Sequence, residues 1–128
     1  MYAHSGCHYF EIVFMSIVTE MQLTDFDADQ RLLGFAGTSL VVFTSVGCSA
    51  CRTARHRLPQ MELPIDRVCW IDAGDNGGLV ERYGIFHLPA LYVVHDGAFY
   101  GELKSRLSEG DLAHHIRLAL LREPDELP

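Results

Sequence analysis

Lysine is almost missing from this chain of 128 residues: Lys104 is the single one, and the acidic residues outnumber the basic ones for a net charge of −7. That deficit excludes a general binder of nucleic acid or of anionic membrane surface, both of which need a basic face. The local exception is the run Arg52, Arg55, His56 and Arg57. Cysteine is also scarce. Cys7, Cys48, Cys51 and Cys69 are too few for a disulfide-stapled secreted scaffold. Long apolar runs are lacking too, since no stretch reaches the roughly 18 residues of a membrane-spanning helix. Residues 9–18, YFEIVFMSIV, are apolar but short and broken by Glu11. With no Lys or Arg before them and no small-residue cleavage site after, they make a poor signal peptide. There is no internal repeat or low-complexity block, and nothing resembling a linker before the terminal EPDELP. A reducing, cytoplasmic location is the expectation, and there a C-x-x-C pair is more often catalytic or metal-binding than structural.

What is present is an ordinary globular composition, 48% hydrophobic and 21% charged, in a length suited to one domain with its own core. Residues 15–23, MSIVTEMQL, alternate roughly, with Ile17, Thr19, Met21 and Leu23 on one face, and predict a strand. DADQRLLGFAG then predicts a helix capped by Asp27 and ended by Gly34 or Gly37. SLVVFT, residues 39–44, is a continuous β-rich run, as in a strand buried on both faces. RTARHRL predicts a helix that Pro59 stops, and RVCWI, residues 67–71, another strand. Asn76 opens a short helix, GLVERYG, closed by Gly84. The strands ALYVV and AFYGEL flank Asp96-Gly97, a strong hairpin signal. Ser108 and Asp111 form a start like a capping box for a final helix reaching Leu121. The order β α β α β α β β α predicts a mixed central sheet covered by helices.

Within this frame SVGCSACRTAR, residues 45–55, places Cys48 and Cys51 between a strand and a helix. Such a pair can hold half a zinc site, shuttle a disulfide, or be two incidental thiols in a binding module. Zinc needs four ligands, no second C-x-x-C exists, and His56 and His87 are the only additions to hand. His56 follows Cys51 by five residues on one helix, a poor geometry for closing a tetrahedron, so no metal is expected. A strand–C-x-x-C–helix unit is the context of a redox dithiol. The thiolate is the nucleophile, and a cysteine at a helix N-terminus meets free N–H groups and the positive end of the dipole. Such thiols have a pKa of about 3.5–7.5 instead of about 8.5. Cys48 takes this position, Cys51 lies one turn on along the same face, and Arg52 lies beside them.

From residue 15 to residue 121 the chain resembles the thioredoxin superfamily. The resemblance rests on VVFTSVGCSAC, on WIDAGDNGGLVERYGIFHLPALYVVHDG and on the amphipathic final helix. It implies a thioredoxin-like α/β fold, a central mixed sheet of about five strands flanked by helices, over residues 15–122. Residues 1–14 would be an extension, disordered or a mis-called start, with an extra strand or dimer contact as the rival reading; residues 123–128 would be a tail. YGIFHLPAL matches the family block whose proline is cis and faces the cysteines, which implies a cis Leu88–Pro89 bond there. The implied activity is thiol–disulfide exchange on protein substrates, Cys48 attacking and Cys51 resolving the mixed disulfide. Gly47, Ser49, Ala50, His87, Leu88 and Pro89 would border the substrate, the backbone at Leu88 pairing with its extended chain. His87, at the groove rim, could exchange protons near neutral pH, or simply be an exposed loop histidine. No cofactor is implied; electrons would come from a partner reductase or another thiol carrier, and the chain would act as a monomer. The alternative is a non-catalytic partner-binding or assembly module using the groove around Leu88 and Pro89.

This sequence departs from the family pattern at several positions. Gly47 stands where a tryptophan is usual, Ser49-Ala50 where Gly-Pro is, and Ser105 where a loop glycine is. Val42 and Val68 replace a buried aspartate and its lysine partner, a paired loss that avoids an uncompensated charge. It also removes the group often assigned to deprotonate the second cysteine, which predicts slower resolution. Cys69, on a strand, reads as a small buried hydrophobe.

Overall fold

The computed structural model describes residues 18–128. The expectations for residues 1–14 and for the first part of the predicted strand, 15–17, lie outside the described residues.

The elements follow the predicted order: β1 (Thr19–Leu23), α1 (Ala28–Gly34), β2 (Thr38–Thr44), α2 (Ser49–Arg57), a 3-10 turn (Leu58–Gln60), β3 (Arg67–Asp72), α3 (Gly77–Tyr83), β4 (Ala90–His95), β5 (Ala98–Leu103) and α4 (Glu109–Ala119). They build one five-stranded sheet in the order β1-β3-β2-β4-β5. β3 runs parallel to both β1 and β2, whereas β4 is antiparallel to β2 and β5 to β4. The long crossovers through α1 and α2 permit the parallel pairs, and the two-residue turn forces the antiparallel β4–β5 pair. In that turn Asp96 (φ 50°) and Gly97 (φ 79°) are both left-handed, the twist-matched hairpin geometry that Asp-Gly favours.

Period-two alternation sorts the core into two layers. Val41, Phe43, Cys69, Ile71, Tyr92 and Val94 point to one face and pack with Leu32 of α1 and Leu79 of α3. Leu40, Val42, Val68, Trp70, Leu91 and Val93 point to the other and pack with Ala54 of α2 and Leu112 and Ile116 of α4. β2 is buried at every position, as a central strand covered on both faces must be. Cys69 is fully buried and unpaired, and burial pushes its thiol up to about 11, so it acts as packing.

The helix ends differ from the sequence pattern in instructive ways. Ser108 is the N-cap of α4 but its side chain makes no capping bond. Asp111 turns back instead, accepting from Arg106 N at 2.8 Å and from Ser105 Oγ at 3.0 Å. Asn76 caps α3 by position only; its amide bridges Asp25 N and Asp72 O and so ties two loops together. Gly84 does end α3, in the left-handed region at φ 64°. Beyond Ala119 the tail folds back, and Asp125 exchanges two backbone hydrogen bonds of 2.8 Å with Phe99 on β5.

Candidate functional site

Parallel strands direct their C-terminal ends to one edge of the sheet, and the loops there carry the chemistry. β2 ends at Thr44, and three residues later the chain enters α2 with Cys48 as its N-cap in extended conformation. The position normally needs a side-chain acceptor for a free helical N–H. Here the Cys48 sulfur serves, receiving Cys51 N at 3.1 Å. The same contact, together with the helix dipole, favours negative charge on that sulfur.

Cys48 and Cys51 are joined as a disulfide, with Cα atoms 5.1 Å apart, inside the range such a bond needs. Their environments are unequal. Cys48 is half-buried, whereas Cys51, in the first turn of α2, is 1% exposed. Only one sulfur is thus placed to meet a large partner.

The antiparallel pairing of β4 with β2 brings the residues before Ala90 to the same edge, since Phe43 pairs with Ala90. The Leu88–Pro89 peptide is cis, and Leu88 O lies 3.8 Å from Cys48 Sγ. Leu88 and Pro89 are half-buried. Beyond them runs an open groove of about 690 Å³, whose apolar floor of Leu91, Leu103 and Leu107 meets a polar wall including Arg106 and Asp111. The groove is therefore of mixed polarity. Sequence reasoning could not see this because the polar wall comes from the segment after β5, over a dozen residues downstream. His87 is at the rim with its side chain 66% exposed, and Nε2 is 3.2 Å from Glu102 Oε2.

Gly47, Ser49 and Ala50 are exposed, and a Cβ added at Gly47 would meet nothing within 4 Å. Val42 and Val68 are both fully buried on the α2 and α4 side of the sheet. Among the described residues no cluster of three or more His, Cys, Asp or Glu side chains could hold a metal ion. His56 is exposed on α2.

Two features escaped the sequence reading. Val46 (83% exposed) and Phe86 (95% exposed), both unburied apolar side chains, stand on the loops before Cys48 and before Pro89. The second is a cleft of about 220 Å³ on the other side of Cys51, lined by Thr44, Ser45, Val46, Arg52, Arg55 and Asp72 as well as Cys51. The alternation of β3 held the signal, because Asp72 is in phase with Trp70 and hence on the face that α2 covers.

No protein-family model and no curated sequence matches the chain. Solved structures do. The J-Trx1 fragment of ERdj5 superposes with a TM-score of 0.66 at 19% identity over 80% of this chain and 52% of its own. Human ERp44 in its zinc-bound form gives 0.62 at 21% identity over 77% of this chain, which spans 30% of ERp44. Trichomonas vaginalis thioredoxin gives 0.51 at 23% identity, covering 59% of this chain and 70% of its own. At such identities the likeness is one of architecture, and it establishes that this chain is built on the thioredoxin fold.

Proposed function

We propose that the domain is a dithiol–disulfide oxidoreductase acting on protein substrates, with Cys48 as nucleophile and Cys51 as resolving thiol. The observation that carries this reading is the asymmetry of the pair. Cys48 sits half-exposed at a helix N-terminus with an N–H aimed at its sulfur, while Cys51 waits buried one turn away. In the reducing direction the Cys48 thiolate attacks a substrate disulfide, forming a mixed disulfide and expelling one substrate thiolate. Cys51 then attacks Cys48 Sγ, closing the intramolecular bond and expelling the second thiolate. Two electrons pass to the substrate, and a partner reductase or thiol carrier returns them. No bound cofactor takes part.

Gly47, Ser49, Ala50, His87, Leu88 and Pro89 border the approach to Cys48 in this reading, and exposed Val46 and Phe86 favour a polypeptide partner with apolar side chains near its cysteine. The proposed setting is the cytoplasm. Insulin reduction by dithiothreitol tests the activity: the wild type should accelerate it and Cys48→Ser should not. No acceleration by the wild type would remove the enzyme reading and leave the partner-binding module. Cys51→Ser should hold substrates as stable mixed disulfides and so identify them.

A further inference from the structure

Resolution requires the Cys51 thiol to lose a proton, and on the α2 side of the sheet Val42 and Val68, both fully buried and apolar, cannot take one. The cleft on the far side of Cys51 has such a group. Thr44 and Asp72 are register partners at the ends of β2 and β3, both in phase with the residues that face α2. Thr44, Cys51 and Asp72 line the same space of about 220 Å³, large enough for several waters. One carboxylate oxygen of Asp72, Oδ1, accepts Gly74 N at 2.8 Å. We propose that Asp72 is the positioning base of this site, drawing the Cys51 proton through water in the cleft; the inference rests on the dithiol exchange proposed above.

The charged surroundings suit that role. Arg52 and Arg55 are the charged side chains that α2 contributes to the cleft, and β2 contributes the neutral Thr44 and Ser45. Arg55 lies 4.7 Å over the Trp70 ring and is held by Gln22 Oε1 at 3.0 Å, while Glu20 is taken up by the Trp70 indole. Arg52 and Arg55 offset the negative charge that Asp72 brings to the cleft. In the step itself, the proton leaves Cys51 Sγ for a cleft water, which passes its own proton to Asp72. The thiolate forms the Cys48–Cys51 bond as the bond from Cys48 to the substrate sulfur breaks. The departing thiolate carries away the electron pair, and Asp72 releases its proton to solvent.

The test is stopped-flow reaction of the reduced protein, with Cys7→Ser as the common background of every form compared, with the chromogenic disulfide dithiobis(nitrobenzoate). Attack by Cys48 releases the first coloured thiolate, and resolution by Cys51 releases the second. Asp72→Asn keeps an oxygen for Gly74 N but cannot accept the proton. Its first phase should match the wild type and its second should slow by at least about tenfold at pH 7. The two proteins should converge at high pH, where hydroxide takes the Cys51 proton without help from Asp72. Thr44→Leu, which fills the cleft and leaves Asp72 in place, should slow the second phase in the same way. An unchanged second phase in both variants, or a slowing equal at all pH values, overturns the role of Asp72. A wild type lacking the first phase instead overturns the oxidoreductase reading, and this inference with it.

Discussion

Placing a carboxylate at residue 42 probes the closed core on the α2 and α4 side of the sheet. Val42 is fully buried, sits between Trp70 on β3 and Leu91 on β4, and faces α2 and α4. Val42→Asp forfeits the burial of a valine side chain, about 2 kcal/mol, and buries an unpartnered carboxyl, about 1–3 kcal/mol more. The expected loss is ~3–5 kcal/mol against a total of about 5–15 for a domain, read from urea denaturation by far-UV circular dichroism. Burial raises the pKa of the new group in the folded state only. The folded form then holds more protons than the unfolded one as pH climbs above about 4, so the deficit must grow with rising pH. Val68 is the diagonal cross-strand neighbour of Val42, because Leu40 pairs with Val68. A lysine there can reach the new carboxylate. The double variant Val42→Asp/Val68→Lys should therefore lose about 1–3 kcal/mol less than the two single losses combined. A Val42→Asp deficit under about 1 kcal/mol, or one constant between pH ~4.5 and ~7.5, would refute the claim that this face is dry.

Three further outcomes are expected. Glu20→Ala strips the partner from the Trp70 indole, which is 2% exposed and donates to Glu20 Oε1 at 2.9 Å; it should cost ~1–2 kcal/mol in urea denaturation, and Glu20→Gln less. Asp111 should titrate below 3.8 by carbon-detected NMR, held down first by Arg106 N–H and then by the Ser105 hydroxyl. Its folded pKa is depressed, so its contribution is present above the unfolded value and lost as pH falls through the folded one. Removing residues 123–128 uncovers the β5 edge at Phe99 and deletes two backbone hydrogen bonds. That truncation should lower stability by about 1–3 kcal/mol and produce concentration-dependent association in sedimentation.

Local signals account for much of the architecture. Asp96-Gly97 specifies its own turn because few other residue pairs tolerate two left-handed conformations in succession. The buried run of β2 and the alternating phases of β3 and β4 are readable because side-chain direction is fixed by strand geometry. Cap chemistry was less legible. Asp111 and Asn76 carry the right residue types, but their side chains are diverted to Arg106, Asp25 and Asp72 by loops that only the folded chain brings near.

At the site, the C-x-x-C spacing and its place between strand and helix were enough to define a redox-capable pair, since both are properties of a short segment. What unites Cys48 with Leu88, forty residues on, is the antiparallel pairing of β2 and β4, a non-local contact. The inequality of the two sulfurs and the cleft linking Cys51 to Asp72 likewise depend on how α2 settles across the sheet, and the polar wall of the groove depends on the segment after β5. By itself the sequence determined which side chains could do chemistry and which face of each strand they would take. Only the tertiary structure decided which of them share a space, because that depends on packing between elements far apart in the chain.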